Sequence, residues 1–393
     1  MIKDIWKTCG IQKKHLGKFG KMTSHNLFNG IFKDKTIFVT GHTGFIGSWL
    51  TEWLCELDAN VIGYSLEPTT VPSLFDTLGL EKRITHIIGD INDSKNLQDV
   101  IEKHSPEIIF HLAAQPLVKT SYDAPQKTIQ TNVMGTVNLL ESIRDTSSVK
   151  ICVVITSDKC YQNRELSYAY KETDPMGGYD PYSASKGATE LIISSYRNSF
   201  FNPQNFGAHE TSLSTSRTGN VIGGGDWAEN RLVPDCVKAL SKNEKISIRN
   251  PNAVRPWQYV LEPISGLLCL TQKMYNDPIK YAQPWNFGPT IRRPLIKVNE
   301  LTSEIITNWG SGNWIDSSDK NEPHEANLLM LDSSKAINNL DWHPVYSINE
   351  SISETVGWYK EFYKNHENME EFTKNQILNY VHKAKHLNHT WAL

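Results

Sequence analysis

The stretch from Thr36 to Leu57, TIFVTGHTGFIGSWLTEWLCEL, limits the possible folds of this chain more than any other. Ile37, Phe38 and Val39 make a short β-rich run, and Trp49, Leu50, Trp53, Leu54 and Leu57 then recur at the spacing of a buried helix face. Gly41, Gly44 and Gly47 stand at the joint in the pattern Gly-x-x-Gly-x-x-Gly. Strand, glycine turn and amphipathic helix in this order predict a dinucleotide-binding βαβ unit. Glycine is required because a side chain would block the pyrophosphate, which the N–H groups and dipole of the helix N-terminus would hold. The expected cofactor contacts in the turn are Gly41, Thr43, Gly44, Phe45, Ile46 and Gly47.

The following segments extend this unit. Asn60 to Tyr64 reads as the second strand, and at its end a dinucleotide site ordinarily places a carboxylate on the adenosine ribose. Ser65 occupies that position, and no arginine or lysine follows closely to take a 2′-phosphate, which favours NAD over NADP. A third strand, Ile84 to Ile88, leads to Asp90 and Ile91, where the aspartate can reach an adenine amino group. A fourth, Ile108 to Leu112, is followed by Ala113 and Ala114, small enough for backbone to lie against a cofactor. His111 in this strand reads as a structural hydrogen-bonding residue. A long helical stretch from Gln126 to Arg144 carries Asn132, another expected cofactor residue, and the apolar run KICVVIT at 150–156 reads as a doubly covered parallel strand.

This alternation predicts an α/β fold, a doubly wound parallel sheet of the Rossmann type, spanning 31–218. From Gly219 glycines, prolines and tryptophans concentrate in loops, including QPWNFGP, and helices follow at Lys297 to Trp309 and Ile348 to Lys364. Residues 219–365 are expected to form a smaller substrate-binding part. Residues 1–30 read as a lysine-rich, partly ordered leader, and 366–393 as a peripheral polar helix from Asn368 to His386. A net charge of -3 gives no support for nucleic-acid binding. No apolar run approaches the roughly 18 residues of a membrane span, and the leader lacks the apolar segment of a secretory signal. The 6 cysteines show neither a CxxC pair nor metal-ligand spacing, so no metal is expected and the compartment is read as reducing and cytoplasmic.

Tyr182 and Lys186 form Tyr-x-x-x-Lys at the start of a helix, on one face. An ammonium beside a phenol favours phenolate, which can take a hydroxyl proton as hydride leaves the same carbon. Ser157 ends the apolar strand upstream, where ligands of such sheets bind. Glycine turn, strand-end serine, tyrosine and lysine in this order resemble the short-chain dehydrogenase/reductase superfamily, in its extended nucleotide-sugar branch, from about Phe32 to Lys360. Further blocks resemble the CDP-glucose 4,6-dehydratases: HLAAQPLV at 111–118, TNVMGTVNLLE at 131–141, TSDKCYQN at 156–163 and PMGGYDPYSASKG at 175–187. More specific are GNVIGGGDWAENRLVPD at 219–235, IRNPNAVRPWQYVLEP at 248–263, WNFGP at 285–289 and PHEA at 323–326. Ile46 departs from the lysine that many members of that family carry, and the leader has no counterpart.

The resemblance implies a redox-neutral lyase acting on CDP-D-glucose with bound NAD, in deoxysugar and lipopolysaccharide biosynthesis. Tyr182 would take the 4-hydroxyl proton, Ser157 would position that oxygen, and Lys186 would support the phenolate. Asp158 would protonate the leaving 6-hydroxyl, and Lys159, standing where dTDP-glucose relatives place a glutamate, would take the carbon-5 proton. Arg231, Arg249 and Arg255 suit the diphosphate because guanidinium forks match phosphate oxygens. Asn220 and Leu232 are further expected substrate contacts, as is His324. Trp257 either stacks on the base or walls the pocket. The helices from Gln126 and from Tyr182 would pair with their copies in a homodimer. An epimerase of the same branch has no need of the Asp158–Lys159 pair, and a non-catalytic NAD sensor would be expected to have lost Tyr182 or Lys186.

Overall fold

The computed structural model describes residues 24–165, 167–289, 296–318 and 328–393. Alternate residues along the apolar runs serve two different cores. Ile37 and Val39 face one side of the sheet with Phe110 and Val153, while Phe38 faces the other with Ile109, Cys152 and Val154. A strand with both faces covered has no solvent side, which is why these runs are apolar without a break.

The strands are β1 (Thr36–Thr40), β2 (Asn60–Ser65), β3 (Thr85–Ile88), β4 (Ile108–His111), β5 (Ile151–Ile155), β6 (Ser212–Thr218) and β7 (Pro284–Phe287). They form one 7-stranded sheet in the order β7-β6-β5-β4-β1-β2-β3, and every pairing is parallel. The principal helices are α1 (Phe45–Glu56), α2 (Ser94–His104), α3 (Gly135–Arg144), α4 (Pro181–Ser199), α5 (Leu232–Ser241), α6 (Leu261–Asn276), α7 (Val298–Trp309), α8 (Ile348–Asn365) and α9 (Met369–His386). The expected doubly wound sheet is present. The chain reverses direction across the sheet between β1 and β4, which opens a crevice at their carboxyl ends.

Several elements depart from the sequence reading. The helix expected from Gln126 to Arg144 is interrupted by a π-helical turn, Gln130–Met134, before α3. The strand β6, SLSTSRT, was not expected because its residues are polar, yet all of them are buried. Side-chain bonds satisfy them: Ser212 donates to the Pro278 carbonyl at 2.7 Å and Ser214 to that of Gln283 at 2.5 Å. The QPWNFGP segment, read as a loop, supplies β7, so the later part of the chain completes the nucleotide-binding sheet itself.

Both ends of the described chain lie deeper than the sequence suggests. Leu27 and Phe28, assigned to the leader, are buried in the core beneath α1. The helix α9 is not peripheral. Tyr380 donates to Glu262 at 2.8 Å, and Trp391, just beyond α9, stacks on Phe28 with ring centres 5.0 Å apart and on Tyr380 at 6.1 Å. Most of the charged residues that made this stretch look peripheral lie on its outer face, while Thr373 and Gln376 are buried with Ile377 and Tyr380. Trp391→Ala is therefore expected to lower unfolding free energy by about 3–5 kcal/mol, measured by chemical denaturation. A loss below about 0.5 kcal/mol, the range of a surface substitution, would contradict this packing.

Candidate active site

The turn between β1 and α1 is built by backbone approach. Gly41 has φ +73°, and a Cβ placed there would lie 2.7 Å from the Ala113 nitrogen. A Cβ on Gly47 would lie 2.1 Å from the Gly41 carbonyl oxygen. Neither position admits a side chain, and the α1 N-terminus at Gly44 has no side-chain cap. Its N–H groups are thus left for a ligand.

Around this turn lies a cleft of about 840 Å3 over the carboxyl ends of the strands. It is lined by Gly41, Thr43, Gly44, Phe45, Ile46 and Gly47 from the turn and by Ser65, Asp90, Ile91, Leu112, Ala113 and Ala114 from the next strand ends. Ser157, Asp158, Lys159, Tyr182 and Lys186 line its middle, and Asn220, Arg231, Leu232, Arg249, Arg255 and Trp257 its far side. Two sequence-selected residues stand apart. Asn132 is buried outside the cleft lining; its amide receives the Gln115 N–H at 2.8 Å and donates to Ser185 at 2.8 Å, joining the segment after β4 to α4. His324 lies outside the described residues.

The end of β2 shows what the serine at position 65 does. Thr43 Oγ1 lies 2.9 Å from the Ser65 hydroxyl and donates to the Leu66 carbonyl at 2.9 Å, so the serine braces the glycine turn. Glu67 and Thr69 also line the cleft. Glu67 is an acid that sequence reasoning passed over because it falls two positions beyond the usual one. At the next strand end Asp90 Oδ1 accepts from the Asn92 backbone and side-chain amides, each at 2.9 Å. His111 is fully committed, lying 2.7 Å from Thr40 Oγ1 and 3.1 Å from Thr136 Oγ1, and burial pushes its pKa down to about 3. These are structural bonds, as the sequence suggested.

At the centre, Ser157 donates to Asp158 Oδ1 at 2.9 Å and accepts the Lys159 N–H at 3.2 Å. Asp158 is buried, its Oδ2 has no partner among the described residues, and a Cβ on Gly219 would press to 2.0 Å from that oxygen. Burial pushes the Asp158 carboxyl upward, opposed only in part by Lys159, the Ser157 hydroxyl and Arg255. A buried carboxyl of this kind favours the protonated form, as a proton donor requires.

Tyr182 behaves differently from the sequence expectation. The lysine was expected to draw its pKa toward neutrality, but burial pushes the phenol up to about 12, against the Ser157 hydrogen bond and the charge of Arg231. Lys186 Nζ lies 6.0 Å from the Tyr182 ring centre, and burial lowers its own pKa to about 8. In the protein alone the phenol is therefore protonated. Arg231 is oriented by Asp226, whose Oδ2 accepts from it at 3.0 Å; Arg249 donates to the Asn230 carbonyl at 3.2 Å, and Arg255 to that of Val254 at 3.2 Å. Trp257 lines the cleft with its indole N–H unpaired among the described residues.

The GDP-mannose 4,6 dehydratase family matches this chain over residues 38–355. The chain belongs to that family. Among curated members, CDP-glucose 4,6-dehydratase of Salmonella typhimurium is 47% identical over 361 residues, covering 92% of this chain and 99% of its own. Two more distant relatives share the fold. The dTDP-glucose 4,6-dehydratase of Streptomyces venezuelae, solved with NAD and TYD bound, superposes with a TM-score of 0.71 at 22% identity, covering 83% of this chain and 97% of its own. The UDP-glucose 4-epimerase of Thermotoga maritima, solved with UDP-glucose, gives 0.70 at 23% identity, with 84% and 99% covered. Among the described residues no helix is long and apolar enough to cross a membrane.

The glycine turn yields a direct test. Gly47→Ala is expected to weaken dinucleotide binding at least about tenfold in a fluorescence titration, because the backbone must part to admit the methyl group. Gly357→Ala, where a Cβ meets nothing within 4 Å, should leave binding unchanged.

Proposed function

We propose that this chain is an NAD-dependent CDP-D-glucose 4,6-dehydratase, yielding CDP-4-dehydro-6-deoxy-D-glucose and water. The observation that carries the reading is one cleft where Ser157, Tyr182 and Lys186 stand beside a buried, upward-shifted Asp158 and the adjoining Lys159. The 47% identity to the Salmonella enzyme supports CDP-glucose as the substrate.

The residues fit the cofactor: the glycine turn, packed on backbone too closely for a Cβ at Gly41 or Gly47, lines the cleft, and the α1 N-terminus at Gly44 has no side-chain cap. NAD, when bound, supplies a cationic ring and a reversible store for the hydride that leaves carbon 4 and returns to carbon 6. Tyr182 takes the 4-hydroxyl proton, and Ser157 holds that oxygen by hydrogen bonding. Lys186, in its ammonium form, stabilises the phenolate and so offsets the upward push of burial. Oxidation at carbon 4 acidifies the proton on carbon 5, which Lys159 accepts in its amine form. Asp158 gives its proton to the 6-hydroxyl, which departs as water. Lys159 returns its proton to carbon 5, and the proton that Tyr182 took from the 4-hydroxyl replaces, by way of solvent, the one Asp158 gave up, so the residues regain their starting states. Arg231, Arg249 and Arg255 hold the diphosphate, with Asn220, Leu232 and Trp257 beside the nucleotide. The free thiols among the described residues support a reducing, cytoplasmic setting, and the proposed product places the enzyme in deoxysugar and lipopolysaccharide biosynthesis.

The test is a panel of CDP-, dTDP-, UDP- and GDP-linked sugars supplied with NAD, following the alkali-induced absorbance of a 4-keto-6-deoxy product. Product from CDP-glucose alone is expected. Lys159→Met should reduce turnover at least about 100-fold while leaving NAD affinity intact. Unchanged turnover would remove Lys159 from the chemistry.

We also propose a homodimer built on α4 and the helical segment before α3. Ile129, Met134 and Leu191 are 48%, 42% and 61% exposed, which leaves apolar side chains on these segments for a second copy to cover. Light scattering at micromolar concentration is expected to give twice the chain mass, and Leu191→Glu to give a monomer. A monomeric wild-type protein would overturn this assembly.

A further inference from the structure

Behind the cleft lies a buried ion pair that the reaction does not use. Glu190 and Arg217 are both almost wholly enclosed, and Arg217 Nη2 donates to Glu190 Oε2 at 2.7 Å. Thr156 Oγ1 donates to Glu190 Oε1 at 2.5 Å, and Thr215 Oγ1 to Oε2 at 3.0 Å. On α4, Glu190 follows Lys186 by one turn and Tyr182 by two, on the same face. Thr156 directly precedes Ser157. One carboxylate therefore bonds the helix bearing the tyrosine and lysine to the strand end bearing Ser157, Asp158 and Lys159.

Arg217 extends the same network. Its Nη1 donates to the Tyr161 hydroxyl at 2.8 Å and to the Glu172 carbonyl at 3.2 Å, and the Tyr161 hydroxyl donates to Asn286 Oδ1 on β7 at 2.7 Å. The turn carrying Asp158 and Lys159 is thus fixed on both sides, through Thr156 before it and Tyr161 after it. A buried ion pair can often be replaced by apolar residues with little loss of stability, so its presence here calls for another role.

We propose that Glu190, held by Arg217, is a positioning residue that fixes the spacing between the Tyr182–Lys186 pair and the Ser157–Asp158–Lys159 turn. The inference rests on the dehydratase reading of this cleft. Glu190 is not among the residues that line the cleft. Burial alone would raise its pKa, but Arg217 and the hydroxyls of Thr156 and Thr215 outweigh that and hold it as an anion. The ionisable groups facing Lys186 are Tyr182 and Glu190 from its own helix and Cys160 from the turn after β5, with His111 on β4, neutral, close by. Those facing Glu190 are Arg217 from β6, Lys186 and Arg197 from α4, and Cys160. The Glu190 charge thus favours the ammonium form of Lys186, which burial opposes.

The test compares wild type with Glu190→Gln/Arg217→Met, which removes both charges together, and with Glu190→Asp, which keeps the charge but shortens its reach. For the double variant kcat should fall about 10- to 100-fold, as a small misplacement of reacting groups would cause, with KM for the nucleotide sugar within about threefold of wild type. Its alkaline limb of kcat should move to lower pH, because Lys186 loses its proton more readily without the carboxylate. Glu190→Asp should lower kcat while leaving that limb near its wild-type position. Thermal melting and NAD titration report folding independently of turnover. Folded variants whose kcat and alkaline limb match an active wild type would overturn the role of Glu190. A wild type inactive on every nucleotide sugar would overturn the dehydratase reading instead.

Discussion

The approach of Gly41 to the Leu112–Ala113 peptide is the contact on which the rest of the site depends. It brings the end of β1 against the end of β4, at the point where the chain reverses direction across the sheet. With a side chain at Gly41 the two strand ends would separate, and the turn into α1 would move with them. The helix would then no longer aim its N-terminus along the cleft. Thr40 reinforces the junction, since its Oγ1 accepts the Leu112 and Ala113 N–H groups, both at 3.2 Å, and lies against His111. One backbone contact thus sets the cofactor turn, the strand register and the crevice together.

The centre of the cleft follows from what burial does to opposite charges. Desolvation disfavours the charged form of any group, so it raises the Asp158 carboxyl and lowers the Lys186 ammonium. Both shifts bring proton exchange closer to neutral pH, although the groups are of opposite type. The same effect on Tyr182 works against the proposed reaction, raising a phenol that it requires to ionise. A site that buries all three therefore depends on added positive charge near the tyrosine. Arg231 supplies part of it from the protein, while Asp226 keeps that guanidinium in place.

The doubly covered strands were legible because their apolar runs have no interruption, and the glycine turn because its spacing has a steric cause. Nearly every residue selected from the sequence lines the one cleft, since strand ends of a parallel sheet converge there. What escaped were features whose logic is tertiary. The strand β6 is polar along its length and becomes a buried strand only because Glu190, Pro278 and Gln283 receive its side chains. Asn132 lies within a block typical of cofactor sites, but it faces Ser185 across a helix contact that no local pattern announces. The tyrosine pKa was misjudged because spacing shows that a lysine shares its face, not that its amine lies 6.0 Å from the ring centre.

The aromatic stack of Phe28, Trp53, Tyr380 and Trp391 joins the first and last described segments of the chain under α1. Synthesis on the ribosome runs from the amino end, so Phe28 and Trp53 emerge more than 300 residues before Tyr380 and Trp391. The glycine turn and its helix precede part of the floor on which that helix rests, since Tyr380 and Trp391 come much later in the sequence than Phe28. Until those two side chains are in place, the indole of Trp53 lacks two of its aromatic neighbours. The floor under the glycine turn's helix is accordingly closed by contacts of very high sequence separation, whose loop-closure entropy must be met before they add stability.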